Sequence, residues 1–296
     1  MSVVIVTYQS ADDLPACLDS LAGAAGPRAL EVVVVDNASR DSSAEIARDF
    51  GAKVIENQAN LGLSAAINQG VAATHEPWVL IVNPDGRLGR GAIARMVATG
   101  ETDDRIACVG PRILSPDGSE YPTGRRFPSL VVGAAHAALG TVWPDNPWTR
   151  RYHNADMDRS APGDVDWVSG SCMMVRRRSF DAVGGFDTGY FMYFEEMDFC
   201  LRLGRAGWRV VLEPGAEMVH LLGGSTRSAP YRKVVNHHRS ALRFYCRRYP
   251  HDPRLALAPV VGALLMLRGG FSILRTALQQ ARDRRAAARL NANEER

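Results

Sequence analysis

The chain has 296 residues, 46% hydrophobic and 23% charged, which suits one or two globular domains and excludes a mainly disordered polypeptide. Its five cysteines stand singly with no CxxC pair, which excludes a zinc ribbon, a thioredoxin-type redox site and a disulfide scaffold. The net charge of +3 hides an asymmetry: residues 1–226 carry 20 basic and 28 acidic side chains, whereas residues 227–296 carry 15 basic and 4 acidic ones. Such a tail is built to meet something anionic, with nucleic acid and a membrane surface as the candidates.

The N-terminus runs straight into Val3-Val4-Ile5-Val6 with no basic region or cleavage site, so no signal peptide and a cytoplasmic location are expected. Strand and helix signals then alternate. Short apolar runs at Val3–Thr7, Leu30–Val35, Lys53–Glu56 and Trp78–Val82 predict strands. Between them, residues 12–23 place Leu14, Cys17, Leu18 and Leu21 at helical spacing, Asp41 can cap a helix through Phe50, and residues 63–73 form a small-residue helix. This βαβα rhythm predicts a parallel sheet with helices on both faces, whose ligands sit at the carboxyl ends of the strands. Those ends are Thr7-Tyr8, Asp36-Asn37 and Asn83-Pro84-Asp85.

Residues 111–121 predict a hairpin around Pro116-Asp117-Gly118. Residues 122–163, rich in Pro, Gly, Trp and Arg, read as irregular. A strand over Asp166–Val175 and a helix near Ser179–Val183 follow. A helix over Glu195–Ala206 comes next, then strands at Arg209–Leu212 and Ala216–His220. The character changes after Gly223-Gly224. Residues 231–248 predict a basic helix with Val234, Val235, His238, Leu242 and Tyr245 on one face. Residues 255–267 form an apolar stretch too short for the ~20 residues of a membrane span. Residues 271–290 predict a second Arg-rich amphipathic helix.

Familiar nucleotide motifs are missing. Neither lysine, Lys53 nor Lys233, follows a glycine, which excludes a P-loop, and Tyr8-Gln9-Ser10 replaces the glycine fingerprint of a dinucleotide site. Acidic and metal-capable groups instead gather at predicted strand ends and helix starts. Each has an ordinary reading: Asp36 as a turn cap with Ser39, Asp85 as an Asp-Gly turn, His220 as a core histidine. Glu195, Glu196 and Asp198 read as helix-start acids, with Arg202 pairing Asp198 at i,i+4.

Taken in order, Thr7-Tyr8, Val-Asp36-Asn-Ala-Ser, Asn60-Leu61-Gly62 with Asn68-x-Gly70, Asn83-Pro84-Asp85, Gly184-Gly185-Phe186-Asp187, Phe194-Glu195-Glu196-x-Asp198 with Arg202, and Gly207-Trp208 resemble a family 2 glycosyltransferase of the GT-A fold. The resemblance covers roughly residues 1–226. Its variants look most like bacterial rhamnosyltransferases, in particular actinobacterial ones acting on N-acetylglucosaminyl-diphospho-decaprenol in cell-wall linker synthesis. It implies a Rossmann-like mixed sheet flanked by helices, with a nucleotide-sugar part over about 1–110 and an acceptor part over about 111–226.

The resemblance also implies roles. Thr7, Tyr8, Asp36, Asn60, Gly62 and Asn83 would hold a UDP- or dTDP-linked donor. Asp85, in the altered Asp-x-Asp position, and His220 would ligate Mn²⁺ or Mg²⁺, a donor set that suits such cations. Trp167, Gly170, Ser171 and Glu195 would line the acceptor. Glu196 stands where the family usually has an aspartate base, so its carboxylate is moved by about one C–C bond (~1.5 Å), and Asp198 is the rival base. The reaction implied is inverting transfer, most simply of L-rhamnose from dTDP-rhamnose onto a polyprenyl-diphosphate-linked N-acetylglucosamine. Galactofuranose or N-acetylhexosamine from a UDP-sugar is the alternative. The tail is expected to dock on the inner face of the cytoplasmic membrane as a peripheral element, or to form a homodimer interface. A nucleic-acid-binding role is disfavoured, because the tail lacks regularly spaced stacking aromatics.

Overall fold

The computed structural model describes residues 1–140, 142–221 and 230–294. They fall into two compact units, Met1–Phe191 with Glu195–Ser225, and Met192–Phe194 with Thr226–Arg296. The expected change of character at Gly223-Gly224 and the boundary near residue 226 lie outside the described residues.

The first unit opens with β1 (Ser2–Thr7), α1 (Leu14–Ala25), β2 (Glu31–Asp36), α2 (Ser43–Asp49), β3 (Lys53–Glu56), α3 (Leu63–Ala72) and β4 (Trp78–Val82). The continuous apolar runs of β1, β2 and β4 arise because both faces of these parallel strands are covered. Alternation sends Val34 into the large core with Leu14, Leu18, Leu21, Ile93 and Met96, while Val33 and Val35 meet Ala66 of α3 on the other face. Gly70 lets α3 approach β1 closely: a Cβ there would stand 2.4 Å from a methyl of Val4. Helix α2 starts from Ser42 rather than Asp41; the Asp41 carboxylate instead accepts from Ser43 N–H and hydroxyl and from Ala11 N–H, tying two loops together.

The chain continues through β5 (Gly86–Leu88), α4 (Ala92–Glu101), β6 (Ile106–Leu114), β7 (Glu120–Tyr121), α5 (Leu130–Leu139), α6 (Pro147–Tyr152), β8 (Gly163–Asp164), β9 (Cys172–Arg176), α7 (Arg177–Ala182), α8 (Glu195–Arg205) and β10 (Arg209–His220). The main sheet order is β3-β2-β1-β4-β9-β6-β10-β5, parallel over its first four strands and mixed beyond them. The hairpin expected around Asp117-Gly118 is the β6–β7 pair.

Several expectations are corrected. Residues 122–163 are not irregular: they hold α5 and α6, capped by Ser129 and Asn146, whose side chains accept the N–H of Val132 and Thr149. The strand expected from Asp166 starts at Cys172, because Trp167 instead makes an isolated bridge with Arg125. The two strands at 209–220 are one. Pro214-Gly215 is absorbed by a register shift between Glu213 and Glu217 while pairing with β6 resumes.

The second unit holds α9 (Pro230–Arg248), a 3₁₀ turn over Pro253–Leu257 and α10 (Ala258–Glu294). The two helices run as an antiparallel hairpin, with Gly262 and Gly269 of α10 facing Leu242 and His238 of α9. The apolar stretch and the second basic helix are thus one continuous element. Within Pro253–Ala277 the most apolar 18 residues reach a mean hydropathy of 1.8, so by length and composition alone this stretch is long enough to cross a membrane and extends beyond residues 255–267 read as apolar.

Candidate active site

The carboxyl ends of β1 and β2 lie side by side, with Thr7 in register with Asp36. Thr7 Oγ1 donates to Asp36 Oδ1 at 2.9 Å and Ser39 N–H donates to Asp36 Oδ2 at 2.9 Å, so the carboxylate is held in one orientation. Each of its oxygens keeps acceptor capacity for a further donor. Beside it, Asn37 organises a network that spacing did not reveal. Its Nδ2 donates to Asn60 Oδ1 at 2.9 Å and to the Gly62 carbonyl at 3.3 Å, and its Oδ1 accepts from Leu61 N–H and Asn57 Nδ2. Tyr8 is half-buried at the same edge.

Gly62 has a φ of 87°, and a Cβ there would stand 2.7 Å from the Phe191 carbonyl oxygen. Leu63 N–H donates to that carbonyl at 2.8 Å. The Asn60–Gly62 turn therefore carries the loop that leads towards α8. The same loop is clamped farther back by Asn68, which bonds both the N–H and the carbonyl of Phe186.

Asn83 and Asp85 follow β4. Asn83 N–H donates to the Ser171 carbonyl at 2.9 Å, and its own carbonyl closes a turn onto Gly86 N–H. The next short strand, β5, pairs antiparallel with the end of β10, placing Gly86 opposite His220. Asp85 Oδ1 and His220 Nε2 stand 3.0 Å apart, both largely buried. The second ring nitrogen of His220, Nδ1, is buried with no hydrogen-bond partner. Among the described residues no third His, Cys, Asp or Glu joins them, so the protein offers a divalent cation one carboxylate and one imidazole.

The first turn of α8 brings Glu195, Glu196 and Asp198 to a helix N-terminus. Their environments differ. Asp198 is 1% exposed and accepts from Arg202 Nε at 2.7 Å, while Arg202 Nη1 donates to the Val183 carbonyl at 2.6 Å. That pair anchors α8 to the Gly184-Gly185 turn. Glu195 and Glu196 each keep a buried Oε2 with no partner. Burial pushes the Glu195 carboxyl well above the usual range, and the charge of Glu196 pushes it further. Burial also raises Glu196, opposed by the N–H groups of its own helix turn, the Arg125 guanidinium and the Gly170 N–H. Of the pair, only Glu196 has a cation, Arg125, opposing the effect of burial.

Gly170 is packed so closely that a Cβ would stand 3.2 Å from Glu196 Cβ. Two successive residues thus join the two halves of the site: Gly170 meets Glu196, and Ser171 meets Asn83. The wall beside them is aromatic. Trp167 is buried, its indole N–H reaches the Arg126 carbonyl at 3.3 Å, and the Arg125 guanidinium lies over the rings of Trp167, Tyr121 and Tyr152 at 4.9, 5.1 and 5.5 Å. Arg125 and Tyr152 carried no sequence signal; they lie in the segment that read as irregular. Asn37 was visible beside Asp36 but had no role until its partners were known.

The family model described as glycosyl transferase family 2 matches residues 2–184, and that described as glycosyl transferase family group 2 matches residues 136–278. An N-acetylglucosaminyl-diphospho-decaprenol L-rhamnosyltransferase of Mycobacterium tuberculosis is 37% identical over 298 residues, spanning 96% of each chain. A low-salt glycan biosynthesis hexosyltransferase of Haloferax volcanii is 29% identical over 69% of this chain and 62% of its own. Among solved structures, a mannosyltransferase from Pyrobaculum calidifontis in complex with GDP-Man and Mn²⁺ superposes with a TM-score of 0.59. It is 16% identical, covering 98% of this chain and 79% of that one, a likeness of fold.

Proposed function

This chain belongs to glycosyl transferase family 2, with a GT-A-like fold, and on that premise we propose that it moves L-rhamnose from dTDP-rhamnose onto a polyprenyl-diphosphate-linked N-acetylglucosamine with inversion. The end-to-end match to the mycobacterial rhamnosyltransferase carries this reading. Geometry supports the division of labour. Asp36, oriented by Thr7 and Ser39, accepts the imide N–H of the pyrimidine, with Tyr8 and the Asn60–Gly62 turn around the nucleoside.

The Asp85–His220 pair fits a divalent cation, Mn²⁺ or Mg²⁺, because such ions commonly take one or two protein ligands and complete their shell with phosphate oxygen and water. When bound, the cation neutralises charge on the diphosphate leaving group. Asn83, beside Ser171, borders the donor on this side.

Glu196 is the base. Burial raises its pKa, which makes it a stronger proton acceptor than a solvated carboxylate, and the Arg125 charge opposes that rise in favour of the ionised form. It takes the proton of the acceptor hydroxyl; that oxygen forms a bond to the anomeric carbon while the bond to the diphosphate breaks on the opposite face. Trp167, Gly170, Ser171 and Glu195 shape the acceptor side, with the indole face available to a sugar ring. Asp198 is a positioning residue, occupied by Arg202.

The second unit holds the enzyme at an anionic membrane surface. Leu264, Met266, Leu267, Phe271 and Leu274 of α10 are exposed, and the segment Pro253–Ala277 has only 11% of its apolar window buried. Basic residues of α9 add attraction to anionic headgroups.

Transfer assays test the proposal. Purified protein, Mn²⁺ and an N-acetylglucosaminyl-diphospho-polyprenol acceptor are incubated with dTDP-rhamnose, UDP-galactofuranose or UDP-N-acetylglucosamine, and the product is read by mass spectrometry. A deoxyhexose added only from dTDP-rhamnose supports it. Transfer from a UDP-sugar and none from dTDP-rhamnose overturns it in favour of the other donor.

A further inference from the structure

Helix α5 has the sequence LVVGAAHAAL, apolar all round except at His136, yet of its residues only Val132 is buried. Its inner side packs on α6: His136 Nδ1 lies 3.0 Å from Thr149 Oγ1, and its ring meets those of Tyr152 and His153. The outer side carries Val131, Ala134 and Ala138 at positions i, i+3 and i+7, all exposed. Beyond the helix, Val142 and Trp143 are 79% and 52% exposed, and Trp148 on α6 is 37% exposed. Nothing in the described residues covers the stripe. Several large apolar side chains exposed within one short segment point to a binding surface.

Beside the stripe lies a cavity of about 500 Å³ whose wall includes Arg126, Pro147, Arg150, Arg151, Asn154 and Asp156. Three guanidinium groups meet one carboxylate. Arg150 pairs with Asp156 at 2.8 Å, Arg126 donates to the neutral Asn154 Oδ1 at 2.8 Å, and Arg151 makes no ion pair among the described residues. Asp145 is the other acid on this stretch. Exposed indoles, an aliphatic stripe and neighbouring arginines together match a membrane interface: indoles at the headgroup level, aliphatics below it, guanidinium forks on phosphate oxygens.

We propose that α5 and α6 form a lipid-contacting face of the first unit, seated on an anionic phospholipid bilayer. The face deepens the lipid-linked acceptor reading and depends on it only for its purpose. Arg126 neighbours Arg125, and its carbonyl holds the Trp167 indole that lines the acceptor wall. The proposed face is thus linked through Arg126 and Trp167 to the acceptor wall.

Tryptophan fluorescence isolates this face in the full-length protein. All five tryptophans (Trp78, Trp143, Trp148, Trp167 and Trp208) precede residue 209, so quenching by brominated acyl chains reports on the first unit however the second is attached. Phosphatidylglycerol vesicles with brominated chains are expected to quench wild-type emission severalfold more than phosphatidylcholine ones. Trp143→Phe with Trp148→Phe should remove most of that quenching while the protein still sediments with vesicles. Arg126→Gln with Arg151→Gln should reduce the quenching by phosphatidylglycerol vesicles severalfold while sedimentation, which the basic second unit also supports, is retained.

Wild-type protein that sediments without quenching, or that fails to sediment, overturns the proposal. So does unchanged quenching in the double tryptophan variant. A dimer in solution that Val131→Glu converts to monomer, with emission indifferent to vesicles, overturns it in favour of a second copy covering the stripe. Transfer to a water-soluble short-chain acceptor is measured in parallel: its failure strikes the enzymatic reading and leaves the fluorescence result standing.

Discussion

His220 Nε2 stands 3.0 Å from Asp85 Oδ1, although 135 positions separate the two residues in sequence. The pairing exists because β5 turns back immediately after Asp85 and runs antiparallel to the last residues of β10. A strand-end carboxylate and a strand-end imidazole are thereby fixed by backbone register, with no flexible loop between either residue and its strand.

Asp85→Ala is expected to abolish transfer while leaving the melting temperature of the metal-free protein within a few degrees of wild type. His220→Ala should weaken cation dependence less completely. Titration with Mn²⁺ by calorimetry, with nucleoside diphosphate present, checks both. Full turnover of Asp85→Ala in the presence of a chelator would refute the metal assignment.

Glu196→Gln and Asp198→Asn should fail in different ways. The first should lower kcat by about 10²–10⁴-fold, the usual worth of a positioned base, with donor binding retained. The second breaks a buried pair with Arg202 and should cost about 3–5 kcal/mol of stability. Stopped-time assays and chemical denaturation on the same preparations separate the two. A stable, inactive Asp198→Asn beside an active Glu196→Gln would transfer the role of base to Asp198.

Glu195 makes stability depend on pH in a predictable sense. Its carboxyl is raised from an ordinary 4.5 by burial and by Glu196, so the folded state holds a proton that the unfolded state releases. That contribution is fully present below about 4.5 and is lost as pH rises through the higher value of the folded state. Glu195→Gln removes the ionisation. Its advantage over wild type should grow from pH 5 to pH 8 in urea denaturation; a constant difference across that range would count against a proton held at this site.

Gly62→Ala should disturb the site from a distance. Its φ of 87° disfavours a side chain, and a Cβ would press on the Phe191 carbonyl. Loss of the Leu63–Phe191 hydrogen bond should raise the donor KM and, through the loop towards α8, lower kcat. Steady-state kinetics with varied donor resolves the two effects.

Much of the chain was readable from local pattern. The edges of β3 and β4, the start of α8 and the nucleotide-side strand ends follow from apolar runs and their polar stops, because alternation and helical spacing are properties of neighbouring residues. The order Thr7, Asp36, Asp85, Glu196, His220 was likewise visible, and with it the family. Segment 122–163 was not: Pro and Gly suggested irregular chain, whereas Ser129 and Asn146 cap two helices that pack on each other.

What only the tertiary structure decided is how acids of equivalent type differ in their surroundings. Glu195, Glu196 and Asp198 are neighbours of like chemistry in the sequence. The i,i+4 pairing of Asp198 with Arg202 was already visible; the fold adds that Glu195 is left without a cation while Glu196 lies between Gly170 and the field of Arg125. Sequence by itself determined the strands, the acids at their ends and the family they mark, since those depend on residues a few positions apart. The burial, charge and register that set each acid's surroundings arise between segments tens of residues apart, where strand order and crossover, not local pattern, choose the neighbours.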